Sequence, residues 1–321
     1  MGYSGVQSMG ADAVNCGYNY LTALDNYMTG TDSGSVPRFT LVETYTGVAP
    51  ARWKVWKSAV ADNGVKDFYI SAYVATAASV SVYFGLAEDY DSVTNHTLMK
   101  YVPYDATSLT VNQTDYTVTD SPGKTPAQYT GYYGCTLTIS TGAYSYWFSI
   151  NHHRIHVTTR ISATDYGLYA GMTTNMLDET ALPTSAVSLA LMKQWDGSKT
   201  FNSYGVSSTY CGFTREPGQA STGLSNFSAI ISSSYGMWPY IAGSASYDSV
   251  YKAGWMSGRI PIFSNRENTS LYYPRALLWP GHIFSPRNSS AVNGDSLTIG
   301  STTYAMMRIG SSGIVFVDTS L

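Results

Sequence analysis

The chain has 321 residues, a net charge of −3, 44% hydrophobic residues and only 12% charged ones. That hydrophobic share excludes a disordered chain, and a pI near 5.9 supplies no cationic field for nucleic acid or anionic lipid. No apolar run reaches the roughly 18 residues of a spanning helix, so a transmembrane protein is not expected.

The first element in chain order is helical. Val14, Tyr18, Leu21, Leu24 and Met28 recur at spacings of three and four, as on one helix face, although Gly17 weakens the pattern. Thr29 to Pro37 is a loop by its turn chemistry. Residues 1–45 therefore read as an N-terminal arm with one short helix, packed either on a neighbouring subunit or on its own domain. The opening residues lack a basic region followed by an apolar one, so no secretory signal peptide is expected.

From Arg52 the period changes to two. Val80, Val82 and Phe84 alternate with Ser79 and Ser81; Cys135, Leu137 and Ile139 alternate with Thr136, Thr138 and Ser140. Tyr144, Tyr146, Phe148 and Ile150 repeat the pattern. Ile155, Val157, Thr159 and Ile161 then face one way, and Arg154, His156, Thr158 and Arg160 the other. Such alternation predicts antiparallel strands with one face on a core and one on solvent or a partner. Residues 46–175 read as an antiparallel β domain.

Residues 176–321 read as a second β-rich domain, broken often by Gly, Ser, Asn and Pro. Ala186 to Trp195 fits a strand or a short helix equally. Leu297–Ile299, a turn at Gly300-Ser301 and Thr303–Met306 predict a hairpin, and Gly313–Val317 a last strand. No fixed-period repeat is visible, which argues against a propeller or solenoid. The fold class expected is all-β, with antiparallel sandwich or jelly-roll-like domains and a short helical arm.

Motifs that would carry chemistry are missing. There is no GxSxG elbow, HExxH, EF-hand loop or Rossmann glycine pattern, and Val118 stands where a phosphate loop needs its first glycine. Cys16, Cys135 and Cys211 are scattered and odd in number, which fits free thiols better than disulfides or zinc. Glu88-Asp89-Tyr90-Asp91 is the only dense acidic cluster. It offers an acid/base pair or a calcium loop, and equally a solvated turn between strands. In Asn151-His152-His153-Arg154-Ile155-His156, an extended backbone puts His152 and His156 on one face, about 13 Å apart and too far for one metal ion. No metal or cofactor is expected. Five Asn-x-Ser/Thr triplets, at Asn95, Asn112, Asn226, Asn268 and Asn288, fit chance in so Ser/Thr-rich a chain.

Tyrosine is the distinctive residue, with 28 copies. Its large ring and polar tip suit pleated surfaces and protein interfaces. The aromatic clusters are Trp53-Lys54-Val55-Trp56, Tyr146-Trp147-Phe148 and Met237-Trp238-Pro239-Tyr240. They fit core and subunit interface, or a platform on which a glycan stacks. The interface residues expected are Trp53, Trp56, Tyr144, Tyr146, Arg154, His156, Arg160, Trp238 and Tyr240.

Several of these segments together resemble a group of tailed-bacteriophage virion proteins. The likeness lies in Arg52-Trp53-Lys54-Val55-Trp56-Lys57, Asn63-Gly64-Val65, Asp67-Phe68-Tyr69-Ile70 and Glu88 to Asp91. It continues through Tyr144 to Arg160, Tyr166 to Gly171, Gly258 to Pro261 and Gly294 to Gly300. The resemblance implies a structural protein of the tail, neck or baseplate, assembled in the host bacterial cytoplasm and located in the virion. It supplies no catalytic residues. The expected function is thus a non-enzymatic virion component, contacting copies of itself and neighbouring virion proteins, with no nucleic acid or membrane partner. A receptor-binding protein that recognises host surface glycan is the alternative. A glycan hydrolase using Asp89 and Asp91 is a third reading.

Overall fold

The computed structural model describes residues 2–31, 37–45, 51–58, 67–91, 97–102, 135–175, 189–192, 211–213, 227–228, 261–264, 273–278, 282–284, 292–309 and 313–320. Strands account for 56% of them, in antiparallel sheets with one short helix, so the chain is all-β as its alternation predicts. In chain order the first elements are β1 (Gln7–Met9), α1 (Cys16–Thr29), β2 (Phe39–Tyr45), β3 (Arg52–Ser58), β4 (Tyr69–Val74), β5 (Ser81–Asp91) and β6 (Thr97–Val102). Next come β7 (Cys135–Thr138), β8 (Tyr144–Asn151), β9 (Arg154–Ile161), β10 (Thr164–Asn175), β11 (Leu189–Met192), β12 (Cys211–Phe213) and β13 (Phe227–Ser228). The last are β14 (Pro261–Ser264), β15 (Tyr273–Leu278), β16 (His282–Phe284), β17 (Ser296–Ile299), β18 (Thr302–Ile309) and β19 (Gly313–Asp318).

The described residues form three sheets. A six-stranded sheet runs β2-β3-β4-β5-β6, with β7 also on β5. A nine-stranded sheet runs β1-β8-β9-β10-β15-β14-β13, with β11 and β12 branching from β10. A four-stranded C-terminal sheet runs β16-β19-β18-β17 and contains the hairpin expected around Gly300, which takes φ +61°. The undecided stretch around residue 190 is a strand, β11.

The two larger sheets face one another across the main apolar core, with α1 inside it. Tyr20, Leu21, Leu24, Tyr27 and Met28 of the helix are buried with Trp56, Ile70, Val82 and Phe84 on one side. Phe148, Ile150, Ile155, Val157 and Leu168 lie on the other. Phe148 joins the sheet to the helix: its centroid is 5.9 Å from Tyr20 and 5.4 Å from Tyr27. The N-terminal segment therefore packs on its own chain, and β1 pairs with β8 from Gln7–Tyr146 to Met9–Tyr144. Hydrogen-bonded pairing also runs across both boundaries drawn from the sequence, β2 to β3 near residue 45 and β10 to β15 near residue 175.

Local chemistry explains the helix limits. The Asp12 carboxylate accepts the backbone N–H groups of Val14 and Asn15, at 2.9 and 2.8 Å, and so turns the chain into α1. Val14 precedes the helix and is exposed, not part of its apolar face as the spacing suggested. Gly30 ends the helix in the left-handed region, φ 74°, where glycine carries no Cβ penalty. Gly17, which weakened the helical pattern, has a packing reason. A Cβ there would lie 3.1 Å from the carbonyl oxygens of Thr76, Ala77 and Ser79. Its absence lets the first helical turn rest on the β4–β5 connection.

Asp25 ties the helix to β3. Lys54 Nζ donates to its Oδ2 at 2.5 Å and Trp56 Nε1 to its Oδ1 at 2.7 Å. Cys16 is a buried free thiol whose Sγ donates to Ser79 O, and burial pushes its pKa up.

Candidate functional site

The face of the six-stranded sheet opposite the helix is aromatic and centres on a second buried cluster. Register places Tyr45 opposite Trp53, Trp53 opposite Tyr73 and Tyr73 opposite Tyr83, a row of four rings on four successive strands. The next row, Glu43, Val55, Ser71 and Gly85, is small or aliphatic towards its centre. The third begins Thr40, Lys57, Tyr69, Ala87. Because side chains alternate along a strand, one face collects every second residue of each sequence segment. Tyr90 joins the patch edge-on to Trp53, centroids 5.7 Å apart at 80°, and 6.0 Å from Tyr69. Its hydroxyl donates to the Glu43 carboxylate.

Trp53, Tyr73 and Tyr90 are buried, and Tyr45, Tyr69 and Tyr83 around them are half-buried. Lys57 and Asp67 pair at 2.6 Å at the margin, so their charges cancel locally. Burial raises the Tyr73 phenol above its ordinary value, with Tyr83 adding to it. Trp53, Val55 and Ser71 are already buried within the chain, so the patch offers ring area and phenol hydroxyls through half-buried Tyr45, Tyr69 and Tyr83. What these rings support is adhesion by packing and stacking.

The expected interface residues divide. Trp53 lies at the centre of this face, but Trp56, three residues on, points the opposite way into the helix-filled core. Tyr144 and Tyr146 are buried in that core as well. Arg154 and His156, expected to face solvent or a partner, are fully buried, and Arg160 is half-buried. The reason is that the C-terminal sheet lies over that face of β8–β10. Asn293 Nδ2 donates to Asp165 Oδ1 at 3.1 Å, and Gly294 packs against the Trp147 indole. Trp238 and Tyr240 lie outside the described residues, as do all five Asn-x-Ser/Thr asparagines.

Two local expectations are corrected. His152 and His153 form the two-residue turn between β8 and β9, so His152 does not share a strand face with His156. The acidic segment Glu88 to Asp91 is the end of β5, paired with β6 through Asp89–Met99 and Asp91–Thr97, rather than a turn. Among the described residues no three His, Cys, Asp or Glu side chains gather to hold a metal, and no helix is long and apolar enough to cross a membrane.

Composition did not single out Tyr20 and Tyr144 for what they do inside. Both hydroxyls are buried without a hydrogen-bond partner, and burial pushes both phenols well above the ordinary value of 10.0. The fold holds them neutral. Their contribution is complete below the unfolded phenol pKa and is lost as pH rises above it towards the folded value. Tyr20→Phe removes the orphaned hydroxyl, and we expect it to stabilise the protein by about 1 kcal/mol at neutral pH. It should also move alkaline unfolding to higher pH. Urea melts at pH 7 and 10.5, with phenolate absorbance, check both; a less stable Phe variant would show that the hydroxyl has a partner.

No family model matches the chain, and no curated protein matches it.

Proposed function

We propose that the protein is a non-enzymatic structural component of a tailed-phage virion, of tail, neck or baseplate, that assembles with copies of itself and neighbouring virion proteins. The observation that carries the assembly reading is the aromatic face of the six-stranded sheet. It combines buried Trp53, Tyr73 and Tyr90 with half-buried Tyr45, Tyr69 and Tyr83, and the charges described on it are partnered, Lys57 with Asp67 and Glu43 with the Tyr90 hydroxyl. Interface cores elsewhere are enriched in aromatic residues and depleted in charge in the same way. The virion setting rests on the resemblance of the segments from Arg52 to Lys57 and from Tyr144 to Gly171.

Mass photometry at low and high salt tests the reading. A defined oligomer that resists high salt is expected, because few ion pairs cross such a surface to be screened. Tyr83→Glu should dissociate it while leaving the monomer's circular dichroism unchanged. A wild-type chain that stays monomeric when concentrated sinks the assembly reading. The half-buried Tyr45, Tyr69 and Tyr83 favour one other reading, a receptor-binding protein that stacks host surface glycan on these rings. Glycan binding by the monomer, lost in Tyr83→Ala, would put that reading first.

A further inference from the structure

The layer between the nine-stranded sheet and the C-terminal sheet is polar. Three ladder rows of β8, β9 and β10 build it: Trp147–Thr158–Gly167, Ser149–His156–Tyr169 and Asn151–Arg154–Gly171. Arg154 is fully buried, and its Nη1 donates to Ser149 O at 3.1 Å and to Ser149 Oγ at 2.9 Å. The guanidinium therefore reaches along β9 over the neighbouring row. Its other edge, Nε and Nη2, has no partner, and neither has Trp147 Nε1 nor Thr158 Oγ1.

Three of these four orphaned atoms can only donate, and the fourth is a hydroxyl that can donate. Among the described residues no carboxylate oxygen is hydrogen-bonded to them. Asp318 is occupied through Oδ1 by the backbone N–H and hydroxyl of Ser320, at 2.8 and 2.6 Å. Asp165 accepts from Asn293 and stands 4.0 Å from Arg160 Nε. Burial pulls the Arg154 pKa down to about 10, against the opposing influence of Tyr169 and Asp318. Asp318 acts on this buried cation without a hydrogen bond to it, so its desolvation is only partly offset, and buried donors without acceptors add to the cost.

We propose that this layer binds one small oxyanion of the carboxylate or phosphate class, held side-on by Arg154 Nε and Nη2 where the guanidinium lies over the Ser149–His156–Tyr169 row, with Thr158 and Trp147 donating from the row beyond it. The unpartnered Nε/Nη2 edge has the fork spacing that matches two oxygens of such an anion. Gly171 and Gly294 keep the neighbouring backbone close: a Cβ on Gly171 would meet Arg154 at 2.5 Å, and one on Gly294 would meet Trp147 Nε1 at 3.1 Å. The anion would be enclosed as the C-terminal sheet closes over β8–β10, so its exchange would be slow.

Thermal melts of the full chain in formate or phosphate against chloride, at equal ionic strength, test this. The wild type should melt on the order of 3 °C higher in the oxyanions. General salt effects on burial act on any variant alike. Arg154→Met should therefore lose the difference, while Asp318→Asn keeps it. If Arg154→Met fails to fold, Thr158→Val and Trp147→Phe should each reduce the difference. A wild type indifferent to the anion, or a difference unchanged in Arg154→Met, overturns the proposal. So does a crystal grown in formate that shows only ordered water at Arg154 Nε and Nη2.

Discussion

Gly171→Ala is expected to destabilise the protein by about 3 kcal/mol or more, enough to leave a large unfolded fraction. A Cβ at this position would lie 2.5 Å from Arg154 Cα and Cβ and from His153 O. Two of those three atoms cannot swing aside, because the Cα and the carbonyl oxygen belong to the main chain of the turn and first residue of β9. The Met172 N–H also donates to His153 O at 2.8 Å. Relief would require β9 and β10 to part where Ala170 and Met172 line the main core. Gly142→Ala is the control, since its nearest contact would be Ser140 Oγ at an ordinary 3.5 Å. Urea midpoints of the two variants should differ widely; matching midpoints would mean that the strands can separate at little cost.

Asp25→Ala should be nearly as damaging, about 3 kcal/mol, because one carboxylate serves two donors. Its loss leaves the Trp56 indole N–H without an acceptor inside the core. It also leaves the Lys54 ammonium unpaired where both side chains of the ion pair are only 14–16% exposed. Asp25→Asn keeps an acceptor for the indole and loses the ion pair, so its cost should be about half. Salt should change neither value much, since the pair is shielded from solvent. Equal losses in the two variants would assign the whole effect to Lys54 and none to Trp56.

The strand alternation from Val82 to Ile161 was legible because each strand meets the main core on one side, and an apolar face repeats every second residue. The helix was legible through Leu21, Leu24 and Met28 for the same reason at its own period. What stayed hidden depends on residues far apart in sequence. The strand pleat alone sends Trp53 and Trp56 to opposite faces, and their shared identity conceals this. Asp25 resembles any exposed helical carboxylate until Lys54 and Trp56 arrive beside it. Arg154 and His156 have the look of a solvent face, since nothing near them announces a covering sheet that begins more than a hundred residues later. The aromatic face was visible only as composition; cross-strand register, which local sequence does not encode, assembles Tyr45, Trp53, Tyr73 and Tyr83 into a row.

The placement of α1 bears on how the chain is made. Its apolar face leaves the ribosome ahead of its aromatic partners Tyr146 and Phe148, which follow only after about 120 further residues, roughly 6–24 s of synthesis. Until then Tyr20, Leu24 and Met28 have half a core. Slowing translation before residue 150 should therefore lengthen the exposure of a sticky segment, and holdase chaperones should be found on nascent chains of that length rather than on longer ones.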